Sequence, residues 1–352
     1  MITLSNIDVN VLLLVYTGLA AGVLSGFAGV GGAFFVTPAL IILGVPASFA
    51  VGTSLAWVTG NSIIGAFKHK KLGNLDIKLG TIMVLAVMGG VEVGVRILNR
   101  IRDAGFADEI VLSISTSILL IVGLYTFLES IKRKRHFDAM EEKGELTPVM
   151  RTAAIPPKKF QNIKLPPLLK FAKSQVNISL WIILAVGFIV GMLVGVMGVG
   201  GGFIMVPALV YLFGIPTFVA VGTDLFQIIF SAAYGSIRHA MSGNVIIPAS
   251  LIMLVASSIG LQFGVLVTRY VRGVSVRFIL GITILMVAIG TLLKLLSILV
   301  EEYAAPLQTS SLAVTFSSVG LSVMMIMTLY IMALRHRRGQ RVPAFVTALL
   351  KT

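Results

Sequence analysis

The sequence predicts an all-α polytopic membrane protein: two inverted-topology helical repeats with Gly-broken, short or re-entrant helices, plus one extra C-terminal transmembrane helix. Three observations predict it. The first is composition. Of 352 residues, 57% are apolar and 12% charged, where soluble domains carry about 25% charged residues. The mean hydropathy is +1.00, concentrated in apolar runs near the ~20 residues a helix needs to cross a bilayer. The second is an internal duplication. Gly29-Val30-Gly31-Gly32-Ala33-Phe34-Phe35-Val36-Thr37-Pro38-Ala39-Leu40 recurs 169 residues later as Gly198-Val199-Gly200-Gly201-Gly202-Phe203-Ile204-Met205-Val206-Pro207-Ala208-Leu209. One added residue, Phe213 or Gly214, makes the offset 170, and Ala50-Val51-Gly52-Thr53, His69 and Gly73-Asn74 then recur as Ala220-Val221-Gly222-Thr223, His239 and Gly243-Asn244. Matching over this length marks a duplicated unit. The third is charge. The net charge is +14, but the basic residues cluster in a few loops between apolar runs. They read as topology signals, and nucleic acid is not an expected partner.

Each element follows from the apolar pattern. Met1 to Asn10 holds no Lys or Arg, so it lacks the charged start of a signal peptide and the first run is expected to be retained. Helix 1 is expected over Val9 to Ala28, a short helix 2 over Ala33 to Leu43, and helix 3 over Pro46 to Phe67. Helices 4 and 5 are expected over Ile77 to Leu98 and Asp108 to Ile131. The second unit repeats the plan over Ile178 to Met197, Gly202 to Phe213, Pro216 to Arg238, Val245 to Tyr270 and Ser275 to Ile298, and an eleventh run spans Leu312 to Leu334. The chain divides into a first transmembrane repeat (1–131), a basic cytoplasmic linker (132–176), a second repeat (177–300), and the extra helix with its basic tail (301–352).

Charge parity chooses the topology. Helices 2 and 7 are about 12 residues, roughly 18 Å at 1.5 Å per residue, against a bilayer core of about 30 Å. If each unit nevertheless crosses an odd number of times, with the N-terminus outside, the cytoplasmic loops and tail hold 23 of the 28 Lys and Arg. An even count puts the Arg335-His336-Arg337-Arg338 tail outside, against the positive-inside bias. An odd unit repeated in tandem is inverted across the membrane, an arrangement of secondary transporters whose site lies between the repeats.

The glycine clusters carry the chemistry. Gly29, Gly31 and Gly32, and Gly198, Gly200, Gly201 and Gly202, break the helix at membrane depth. Irregular backbone there is tolerated only where it is buried or lines a polar cavity. A new helix follows each cluster, at Ala33 and after Gly202, and its first N–H groups are unpaired at the positive end of the dipole. That can bind an anion without a buried cation. Pro38 and Pro207, six residues on, add irregularity to both short helices. The alternative is close packing, the expected role of the ladders Gly18/Gly22/Gly26 and Gly187/Gly191/Gly195.

Helices 3 and 8 carry a polar patch: Thr53, Ser54 and Asn61 in one unit, Thr223, Asp224 and Gln227 in the other. These groups suit hydrogen bonding to an oxyanion, or else join helix to helix. Asp224 is a carboxyl within a span and so a candidate proton-coupling group, unless Arg238 or another cation pairs with it. Glu92 with Arg96 four residues on is a second candidate; a structural ion pair is the competing reading. His69 and His239 are either pH-sensitive gates or helix ends at the interface. Metal-ligand spacing, a phosphate-binding loop, a nucleophile elbow and cysteine are all missing from the sequence, so no enzyme, cofactor or metal is expected.

The paired motif, Gly-Val-Gly-Gly-(x)4-Thr-Pro-Ala-Leu, then Ala-Val-Gly-Thr-Ser/Asp, then a His and Gly-Asn turn, resembles the TauE/SafE family of sulfite exporters and organosulfonate permeases. The likeness covers about residues 9–131 and 178–298. It implies a proton-coupled transporter of sulfur oxyanions or sulfonates. Substrate would lie near Gly29, Gly31, Gly32 and Pro38 with Gly198, Gly200, Gly201 and Pro207, and the Thr53-Ser54 and Thr223-Asp224 pairs line up with the family motif. The expected partners are a small anion and membrane lipid, with a homodimer left open. A passive anion channel, a carrier of another small anion and a non-transporting membrane component are the rival readings.

Overall fold

The computed structural model describes residues 2–4, 7–28, 32–142, 165–174, 176–268, 270–271, 273–338 and 340. Gly29, Gly31, the middle of the linker (143–164) and the tail beyond 340 lie outside the described residues. The fold is an all-α polytopic membrane protein. Its helices are α1 (Val11–Ala28), α2 (Ala33–Ile42), α3 (Ala47–Lys71), α4 (Ile77–Asp103), α5 (Ala107–Glu142), α6 (Leu180–Met197), α7 (Gly202–Pro207), α8 (Thr217–Met241), α9 (Ile247–Thr268), α10 (Gly273–Leu299) and α11 (Ala304–Arg337). Eight described helices are long and apolar enough to cross a membrane. The long helix outside that set is α3, because its polar patch and its last turn of Lys68, His69, Lys70 and Lys71 lower its hydropathy.

The structure differs from the sequence expectation in four places. α5 runs on to Glu142 instead of stopping at Ile131; Lys, Arg and Glu are good helix formers and continue the ladder beyond the apolar stretch. The end of the linker and the first residues of the second unit form an antiparallel hairpin, β3 (Leu168–Phe171) with β4 (Val176–Ser179), so Ile178 and Ser179 are strand where helix was expected. A matching hairpin, β1 (Ile2–Leu4) with β2 (Ile7–Val9), precedes α1. The seventh helix is α-helical only to Pro207 and continues as a π turn over Ala208–Leu212. Proline has no N–H for the i–4 carbonyl, and the ladder slips there; Pro38, by contrast, sits within an unbroken α2.

Small residues decide which helices touch. Methyl groups placed on Gly18, Gly22 and Gly26 of α1 would lie 2.2–2.4 Å from the carbonyl oxygens of Met253, Ser257 and Leu261 on α9. Backbones this close admit no side chain, and an added methyl costs typically 1–3 kcal/mol by overpacking. Gly191 and Gly195 of α6 meet Val87 and Val91 of α4 in the same way. Each repeat's first helix therefore pairs with the other repeat's fourth.

Directions follow from these contacts. α1 and α9 are parallel, as are α6 and α4. α3 is also parallel to α9, with Gly52 at Asn244 and Gly60 at Leu254. The end of α1 and the start of α3 thus lie at opposite ends of α9, roughly 25 Å apart by helix rise, and α2 with its flanks returns across that distance. Equivalent helices oppose one another. Gly65 of α3 meets Leu225 of α8 while Gly235 of α8 meets Leu55 of α3, so the two run antiparallel. α5 and α10 are likewise antiparallel, with Thr116 bonded to Thr291 and Gly281 against Phe127. The core is built around the short helices and α3: Phe34, Phe35, Trp57 and Phe203 are among its largest fully buried side chains.

Candidate functional site

The two short helices begin side by side. Gly32 and Gly201, each in the left-handed region at φ 64 and 78, are their N-caps, with no side-chain cap bonded to the first turn. L-residues with a Cβ avoid this region. It lets the chain turn back at once into a new helix. Phe34 and Phe203, equivalent residues of the two repeats, have ring centroids 6.4 Å apart. A methyl on Gly200 would lie 2.7 Å from Val58 on α3 and 3.7 Å from Cβ of Ala33, the first residue of α2. Gly198 packs on Val51 of α3, and the residue starting α7 is Gly202. Two helix starts thus converge on the middle of α3.

Around them the polar face is buried. Asn61 donates to Ser25 of α1 at 2.8 Å, and its carbonyl oxygen has no hydrogen-bond partner. Trp57 donates to Ser257 of α9 at 3.0 Å. Neither Ser25 nor Ser257 stands out in sequence; each sits on a small-residue face that reads as packing. On α8, Gln227 donates to Asp224 at 2.9 Å, and Ser231 donates to Gln227. Asp224 is 1% exposed, and its second carboxyl oxygen has no hydrogen-bond partner.

The structure separates residues that sequence alignment groups. Ser54 and Asp224 are equivalent positions, but α3 and α8 are antiparallel. Asp224 lies level with Gly65, and Ser54 with Gly235. They stand roughly 18 Å apart along the helix axis, at opposite ends of the α3–α8 seam. Thr53 and Thr223 hold the repeats together: Thr53 accepts from Ile246 N–H at 2.9 Å, and Thr223 from Asp76 N–H at 3.0 Å. His239 is fully buried in the last turn of α8, 3.2 Å from the Gly195 carbonyl oxygen, and its Cβ lies under Gly52. His69 stands in the same relation to Gly222.

Arg238 pairs with Glu92, not with Asp224. Its guanidinium makes two bonds to that carboxylate, at 2.7 and 3.0 Å, while Tyr234 and Arg96 donate to it as well. Glu92 and Arg96 therefore belong to a cluster joining α4 to α8. A second charged cluster joins α5, α10 and the π turn. Arg277 of α10 donates to Thr217 at 2.7 Å and to Tyr211 at 3.1 Å, and lies 3.8 Å from Glu129 of α5, to which the Tyr211 hydroxyl donates. Its signal was a carboxylate in the last turn of an apolar run. At the other end of the same α5–α10 pair, a cleft of about 340 Å³ is lined by Pro46, Ser48, Arg102, Asp108, Glu109 and Lys294.

Fold and site define a polytopic α-helical membrane protein with a buried polar seam where its broken helices start, the architecture of membrane transporters. The chain belongs to the sulfite exporter TauE/SafE family, whose model matches residues 14–291. It is similar to the probable membrane transporter protein YunE of Bacillus subtilis (strain 168), 27% identical over 283 residues covering 78% of this chain and 94% of that protein. It is also similar to the probable membrane transporter protein MJ0441 of Methanocaldococcus jannaschii, 26% identical over 285 residues covering 76% and 90%. No solved structure matches the chain.

Proposed function

We propose that the protein is a secondary transporter of small sulfur-containing anions, sulfite or organosulfonates, working by alternating access between two inverted repeats. The observation that carries this is the convergence of two helix starts on α3, with Phe34 and Phe203 6.4 Å apart. Helix N-termini offer unpaired N–H groups and partial positive charge to an oxyanion. Antiparallel packing of equivalent helices, α3 on α8 and α5 on α10, supports inversion. α2 and α7 return between parallel neighbours, which supports an odd number of crossings per repeat.

Asp224 is the group we assign to proton coupling. Among the described residues it has one hydrogen-bond donor and no ion-pair partner. A buried carboxylate without a countercharge is costly, and its free oxygen is a place for a proton. The ends of α3 and α11 carry Lys68, Lys70, Lys71, Arg335, Arg337 and Arg338, and Lys132 follows the apolar stretch of α5; we read these as one face. We assign that face to the cytoplasm, with the N-terminus outside.

Anion uptake into proteoliposomes tests the reading, comparing sulfite, sulfoacetate, taurine, sulfate and chloride with and without an imposed pH gradient. Saturable, gradient-dependent flux of sulfite or a sulfonate is expected, lost in Asp224→Asn. Gradient-independent, non-saturating flux would mean a channel. No flux of any anion through folded protein would refute the transport of sulfur anions.

A further inference from the structure

We infer that Asp76 is a positioning residue for Asp224, and that hairpin β3–β4 is a strap it fastens against the segment carrying that carboxyl. This rests on the role proposed for Asp224. Asp76 is 5% exposed and sits where α4 begins. One carboxyl oxygen caps α4, accepting from Leu79 N–H at 3.2 Å. The other accepts from Ser174 twice, from its N–H at 3.2 Å and its hydroxyl at 2.7 Å. The Asp76 N–H donates to Thr223, the residue before Asp224. Ser174 is fully buried. Lys78 adds a second fastening: its ammonium donates to the Lys170 carbonyl at 3.2 Å and lies 5.5 Å over the Phe171 ring.

The other half of the molecule supplies the control. There Ile246 N–H donates to Thr53 in the same way, and Gly52 meets Asn244 as Gly222 meets Asn74. The docking of α8 on the turn before α4 therefore needs only backbone and threonine. Ile246 takes the place of Asp76, and Ser54 that of Asp224. The extra carboxylate appears only on the half that carries Asp224, and it divides its bonds between the α4 cap and the hairpin. Loosening the hairpin then loosens the 74–80 turn, and with it the Thr223–Asp224 segment.

The chain has no cysteine, so the test needs no background removal. In full-length Asp224→Cys, the rate of labelling by a membrane-impermeant thiol reagent is compared with and without Asp76→Ile, Ser174→Ala or Ser174→Thr. Asp76→Ile and Ser174→Ala are expected to raise the rate by about tenfold or more, the loss expected of one hydrogen bond to a charged group. Ser174→Thr, which keeps the hydroxyl, should restore it. Asp76→Ile installs the residue the other half uses, so folding is expected to survive; size-exclusion profiles check that. An unchanged rate in folded protein overturns the strap. In proteoliposomes with Asp224 intact, the same variants are expected to move the pH profile of uptake while KM for the anion holds, and an unmoved profile counts against the inference. If wild-type uptake shows no pH response, the coupling role of Asp224 fails by itself, and labelling still decides whether the hairpin restrains that segment.

Discussion

Gly201 and Gly73 share a backbone conformation but not a neighbourhood. Their φ values are 78 and 74. A methyl on Gly201 would lie 2.9 Å from Val194, whereas one on Gly73 meets nothing within 4 Å. Both alanine variants pay the left-handed cost of about 1–2 kcal/mol. Gly201→Ala is expected to lower the melting temperature in detergent further, and to abolish uptake because the start of α7 must shift. Gly73→Ala is expected to transport. Legibility at this scale follows sequence distance. The Glu92–Arg96 pair could be read off because four residues is one helical turn. Arg238, 146 residues from Glu92, carries no local sign of its partner, and the sequence offers Asp224 on the same helix as one candidate. The buried serines were illegible for another reason: a small residue on a glycine face serves close packing and hydrogen bonding equally well.

At the scale of elements, the α5–α10 pair grips the start of a central helix at each end. At one end Asp108 accepts from the N–H of Ala47, which begins α3, at 2.7 Å; at the other Arg277 reaches Thr217, which begins α8. Ala47 and Thr217 are equivalent positions. Arg277 also binds Tyr211 on the π turn, so the broken seventh helix is tied to the same pair. A double-mutant cycle of Glu129→Gln and Arg277→Met, read by thermal melting, is expected to show a coupling of about 0.5–3 kcal/mol, as groups in one network do. Additive effects would mean the two act separately. The long helices and their breaks were legible because apolar length and paired glycines state them directly. The hairpins were not. Strands of three or four residues give too few alternations to stand out, and β3 lies in a stretch whose charge marks it as a loop.

For the whole molecule, the repeats are interleaved, not juxtaposed. α1 packs on α9 and α6 on α4, while Thr53 and Thr223 bond across to the opposite repeat. A chain cut within 143–164 and expressed as two pieces is therefore expected to copurify as one complex and to transport, with neither piece accumulating alone. Separate purification of stable halves would contradict the interleaving. The duplication was plain in the sequence, but the exchange of partners was not, because each glycine ladder would fit either repeat's fourth helix equally well. That exchange also sets a timetable for biosynthesis. Gly18 meets Met253, and at roughly 5–20 residues per second a ribosome needs about 10–50 s to get from one to the other. For that interval α1 stands in the bilayer with its grooved face against lipid, and the translocon or a membrane chaperone must shelter it until its partner arrives.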